Sequence, residues 1–132
     1  MTGLDTNVLV RHIVQDNKKE AQAASKLIES CCTSENPGVV SLVVLCEFVW
    51  VLERGYKYPR HTIADVLRRM LSLEDISIER SDLAWQALNL YEKGRADYAD
   101  YAIGLSHRNQ GAQATYTFDR RAADCELFKL LS

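Results

Sequence analysis

Five acidic side chains stand at positions where they could organise chemistry. Asp5 closes the short apolar start of the chain and opens the run Asp5-Thr6-Asn7. Glu47 is the one polar residue in the stretch 42–52, which reads LVVLCEFVWVL. A carboxylate in such a run is expected to be at least partly buried. A buried charge then needs a cation, a metal or a proton, or an ion pair with an Arg or Lys from elsewhere. Asp97 and Asp100 lie three apart in Asp97-Tyr98-Ala99-Asp100-Tyr101, a spacing that puts both on one helical face. Asp119 follows an apolar segment in Thr117-Phe118-Asp119-Arg120-Arg121, as Asp5 does. Each acid also has a plainer role open to it. Asp5, Asp97 and Asp119 sit where helix N-caps belong, and Asp100 suits the first turn of a helix.

Gathered together, carboxylates suit hard divalent cations such as Mg²⁺ or Mn²⁺. Other chemistries have less support. His12, His61 and His107 are scattered and read as surface or boundary residues. Cys31, Cys32, Cys46 and Cys125 have no C-x-x-C spacing, which argues against a zinc ribbon or a redox motif and for reduced thiols. No Ser-His-Asp or Cys-His arrangement is evident. The formal net charge of −2 argues against a protein that grips nucleic acid with a broad basic surface. Leaving four metal-binding carboxylates out of the count moves the remainder from −2 to +2.

The elements that must position these acids follow from periodicity. The 132 residues, 47% hydrophobic and 26% charged, make one ordinary globular domain. Strands are expected at 1–4, 39–42, 76–78 and 114–118. Helices are expected at 7–14, 18–32, 43–54, 60–73, 81–93, 98–109 and 119–127. Ser81 suits an N-cap, Gly94 a helix end, and Gly111 the end of the next helix. Short apolar strands alternating with helices indicate an α/β fold with a small, mainly parallel sheet flanked by helices. Ligands of such sheets bind beyond the carboxyl ends of the strands, where Asp5 and Asp119 fall. No signal peptide or membrane-spanning stretch is read, so a cytoplasmic protein is expected.

Four segments in this order resemble the PIN-domain toxins of VapBC toxin–antitoxin systems: GLDTNVLVR, VLCEFVWVL, ADYADYAIGLSHRNQG and TFDRRAA. The resemblance covers essentially the whole chain. It implies a single PIN domain over 1–132 with three-layer α/β/α architecture. It also implies a metal-dependent endoribonuclease that hydrolyses RNA phosphodiester bonds. The family's acidic quartet falls on Asp5, Glu47, Asp100 and Asp119, with Asp97 as a helper ligand and Asn7 and Thr117 as polar lining. One or two Mg²⁺ or Mn²⁺ ions are implied as cofactors. The implied partners are a cognate VapB-type antitoxin and a second copy in a homodimer, with no direct DNA contact. Tyr101 departs from the pattern, standing where the family more often has a small residue.

Arg11, Arg108, Arg120 and Arg121 are candidates for the RNA backbone, or simply exposed solubilising charge. Trp50 and Trp85 sit at apolar helical positions and read as core or interface. Two rival functions stand beside the nuclease. One is a receiver-like or phosphatase-like domain with Mg²⁺; it calls for an early acid pair or D-x-D motif and a Lys after a late strand, neither of which is evident. The other is a catalytically inactive PIN-fold interaction module, against which the complete acidic set weighs.

Overall fold

The structure is a computed structural model and describes residues 1–131. Among them lie strands β1 (Thr2–Gly3), β2 (Gly38–Val40), β3 (Ile76–Ile78), β4 (Thr115–Thr117) and β5 (Phe128–Leu130). The helices are α1 (Thr6–Val14), α2 (Lys18–Cys31), α3 (Leu42–Arg54), α4 (Arg60–Ser72), α5 (Ser81–Lys93), α6 (Tyr98–Asn109) and α7 (Arg120–Ala123). Every strand pair is parallel. β2 is central in β1-β2-β3, with Thr2 opposite Gly38 and Val40 opposite Ile78. β4 and β5 form a second ladder, Thr115 opposite Phe128. Parallel pairing requires crossovers, and the helices supply them. The result is the expected α/β domain, a small parallel sheet flanked by helices.

The core explains which helix faces point inward. Leu45, Phe48, Val49 and Leu52 of α3 are buried with Leu9 of α1, Ile63 and Leu67 of α4, Leu88 and Tyr91 of α5, and Tyr98 and Leu105 of α6. Burying each of the large aliphatic chains contributes about 1.5–3 kcal/mol. α3 is held at its start twice. The Ser41 hydroxyl accepts from Val44 N–H at 3.2 Å, and the Glu79 carboxylate at the end of β3 accepts from Leu42 N–H at 2.9 Å. No described helix is long and apolar enough to cross a membrane. All four cysteines are free thiols.

Three details differ from the sequence expectation. Ser41 leaves the second strand to cap α3, so that strand ends at Val40. Ser81 is the first residue of α5, and Arg80 takes the cap position in a left-handed conformation, φ 51°. The helix expected over 119–127 is one short turn, and the chain then enters β5. Non-local pairing with β4 and packing on α6 override the local pattern there. Gly104 of α6 permits that approach: a Cβ on it would lie 2.9 Å from Phe128 and 3.0 Å from Leu127.

Candidate active site

β1 and β2 run side by side in the same direction, so Asp5 and the start of α3 leave the sheet from one edge. Asp5 caps α1, and its Oδ1 accepts from Thr6 N–H at 2.8 Å. The Thr6 hydroxyl donates to the Glu47 carboxylate. Thr6 therefore ties both acids, one through its backbone and one through its side chain. Among the described residues it is also the one polar residue counted as buried beside the apolar core, 6% exposed. Asp5, Thr6, Asn7, Arg11, Glu47 and Tyr56 line a common cavity of about 430 Å³.

A second group gathers at the start of α6. Asp97 caps the helix, and its N–H donates to Asp100 Oδ2 at 3.2 Å, as in a capping box. The approach to that cap is clamped by Arg60 of α4. Its guanidinium donates to the carbonyls of Tyr91 and Ala96, both at 2.9 Å, and lies 4.1 Å from the Tyr91 ring centre. Asp119 caps α7: its Oδ1 accepts from Arg121 N–H at 2.9 Å, and its own N–H donates to Thr117 Oγ1 at 3.0 Å. Burial raises the Asp100 carboxyl above the ordinary carboxylate range, with the Asp97 and Asp119 carboxylates adding to the rise. The Asp97 N–H and the Arg121 guanidinium oppose it. Asp97, Asp100, Asp119 and Arg121 thus share one electrostatic neighbourhood. α6 packs against α3, the helix that carries Glu47.

The family model for the PIN domain matches residues 4–126. The chain belongs to the PIN-domain family. It is also 26% identical over 118 residues to a VapC ribonuclease of Aquifex aeolicus (strain VF5), covering 89% of this chain and 87% of that relative. No solved structure matches it.

In this PIN domain the acids fall into two sets, Asp5 with Glu47 and Asp97 with Asp100 and Asp119. Among the described residues no three Asp, Glu, His or Cys side chains are gathered closely enough to hold one ion. In donor type the acids fit Mg²⁺ or Mn²⁺, since each offers carboxylate oxygen. Asp5, Glu47, Asp100 and Asp119 each have one oxygen held by a hydrogen bond, which leaves a second oxygen to face a ligand.

Several expectations need correction. Glu47 is exposed, not buried, and no Arg or Lys salt bridge reaches it among the described residues. The apolar run around it forms a helix with one face in solvent. Trp50 is not a core residue; it is 54% exposed on that face. Trp85 does pack against the core. Arg11 is neither free nor merely solubilising: it bonds Glu20 at 2.6 Å, Asp16 at 3.2 Å and the Tyr56 hydroxyl at 3.2 Å, beside Asp5 and Glu47. Arg108, Arg120 and Arg121 are exposed. Asp5, Asp97 and Asp119 all take the helix-cap role that the sequence left open to them. Thr6 was missed by sequence reasoning, because a Thr after an Asp looks like an ordinary helix start.

Proposed function

We propose that this PIN domain is a Mg²⁺- or Mn²⁺-dependent endoribonuclease, the toxin of a VapBC-type pair. One observation carries the reading: four carboxylates, on α3, α6 and the caps of α1 and α7, each accept a hydrogen bond at one oxygen and keep the other without a partner among the described residues. The similarity to a VapC ribonuclease supports it. When bound, a divalent cation supplies a water of lowered pKa and offsets charge on the phosphate. The chain's own residues orient. Asp5, Glu47 and Asp100 are the main ligands, Asp119 a ligand or a support to one, and Asp97 a helper that fixes Asp100. Arg121, whose charge bears on Asp100, would meet a phosphate oxygen of the RNA. Asn7 and Thr117 line or brace the site.

The reading extends to partners. A VapB-type antitoxin would silence the acidic cavity with an Arg or Lys, and the toxin would assemble as a homodimer in the cytoplasm. An inactive interaction module remains a second reading. It is favoured by the absence, among the described residues, of three acids closed around one ion position.

The test is RNA cleavage by purified protein freed of antitoxin, with Mn²⁺ or Mg²⁺, with EDTA, and beside Asp100→Asn. Metal-dependent cleavage lost in the variant supports the nuclease. Equal cleavage by wild type and variant contradicts the assigned site. A protein inert toward total RNA, whose melting temperature ignores Mn²⁺, is the inactive module.

A further inference from the structure

Trp50 is more than half exposed beside the candidate catalytic acids, and its surroundings indicate what it meets. Val43, Glu47, Trp50 and Arg54 are spaced i, i+4, i+7 and i+11 along α3, so they form one exposed stripe. Trp50 follows Glu47 by three residues, about 4.5 Å of helix rise. The Arg54 guanidinium lies 5.9 Å from the Trp50 ring centre. That guanidinium is loosely held. Its contact with Asp97 Oδ2 spans 3.7 Å between groups 55% and 42% exposed. An ion pair of this kind contributes little and exchanges readily for another anion.

We infer that the Trp50 ring, with Arg54 beside it, is a stacking platform for an unpaired base of the RNA next to the bond that Glu47 helps to cleave. The inference rests on the ribonuclease reading above and adds two residues of this chain that would position the RNA at the site. An indole offers a π-face to any base, and a guanidinium meets the neighbouring phosphate. Bases within a duplex are stacked on one another and cannot reach such a face. A protein partner fits the stripe less well. Trp and Arg are common at protein interfaces, but Glu47, which no Arg or Lys salt bridge reaches among the described residues, is of a type that interface cores exclude.

Fluorescence reads the contact without relying on turnover. In a Trp85→Phe background Trp50 is the one remaining tryptophan. A short single-stranded oligoribonucleotide is titrated in EDTA, and the same sequence is titrated as a perfect duplex. Quenching by the single strand and not by the duplex is the expected result. In Mn²⁺, Trp50→Ala should lower kcat/KM for a single-stranded substrate by about 5- to 150-fold, the range for losing one stacked base. Trp50→Tyr should restore most of it, with melting temperature and mass in solution unchanged. Arg54→Gln should lower the slope of log affinity against log salt by about 1.

A wild-type protein that cleaves RNA, with Trp50 unquenched or Trp50→Ala equally active, overturns the platform and leaves the nuclease standing. No cleavage and no quenching overturns both. A dimer that Trp50→Ala turns into monomer assigns the indole to the contact between copies and overturns the platform.

Discussion

Replacing Thr6 by Val separates orientation of the acids from stability of the fold. Valine has nearly the same shape, keeps the backbone N–H that Asp5 accepts from, and removes only the hydroxyl that donates to Glu47. A hydrogen bond to a charged group contributes about 1.5–3 kcal/mol when its loss strands the partner. Here Glu47 is exposed, so water replaces the lost donor. The net cost in stability should stay below about 1 kcal/mol, a fall in melting temperature of no more than about 4 °C. The effect on function should be larger. Removing the partner that orients a metal ligand typically costs about 10–100-fold in metal affinity or activity. The assay is the Mn²⁺ dependence of RNA cleavage, run beside thermal melts, with Thr6→Ser as the control that keeps the hydroxyl. Thr6→Val should need about 10–100-fold more Mn²⁺ for half-maximal rate, and Thr6→Ser should behave as wild type. A Thr6→Val protein with wild-type metal dependence would refute the reasoning. So would one whose lost activity follows a large fall in melting temperature, which would make Thr6 a packing residue.

Other perturbations test the frame around the site. Gly94→Ala would put a Cβ 1.8 Å from the Tyr101 hydroxyl oxygen, so denaturant melts should show a loss of about 1–3 kcal/mol. Tyr101→Phe in the same chain should recover part of that loss, and strict additivity of the two would argue against the clash. Burial pushes the Cys46 thiol up to about 11 and also raises Cys32, while Cys31 is exposed. Alkylation at pH 8 followed by peptide mass mapping should therefore modify Cys31 well before Cys46 and Cys32; equal rates would contradict the packing of α3. Burial raises the Tyr91 and Tyr98 hydroxyls, with Glu53 adding to the effect on Tyr91. The folded state keeps protons that the unfolded chain releases above about pH 10. Their contribution to stability is complete below that pH and declines above it. A pH series of melts between 8 and 11 should thus fall at its upper end in wild type and fall less in Tyr98→Phe.

Much of this was legible in the sequence, and the rest was hidden for identifiable reasons. α4, α5 and α6 follow from their 3.6-residue periodicity, and the strand-then-Asp pattern marks Asp5 and Asp119. Asp97 and Asp100 were visible both as a first-turn pair and as candidate site acids; they form the capping box of α6, and the Asp119 charge bears on Asp100. The exposure of Glu47 was hidden because Val43 and Trp50, both exposed, make the outer face of α3 look as apolar as its inner one. β5 was hidden because three residues carry no periodicity, and its pairing with β4 reaches across the short helix α7. Thr6 was hidden because its link to Glu47 spans two elements. Gly94 was read as a helix end, which it is. Its stronger constraint, the nearby Tyr101 ring, comes from the next helix.

Direct Mn²⁺ binding tests the central claim, that Asp5 with Glu47 and Asp100 with Asp119 serve one site. Isothermal titration with Mn²⁺ would compare wild type, Asp5→Asn and Asp100→Asn, each shown to be folded by its melt. The account predicts saturable binding by wild type and comparable, large losses in both variants, because the proposed metal centre draws on both sets. Loss in one variant with wild-type affinity in the other would contradict it, as would wild-type protein that takes up no Mn²⁺.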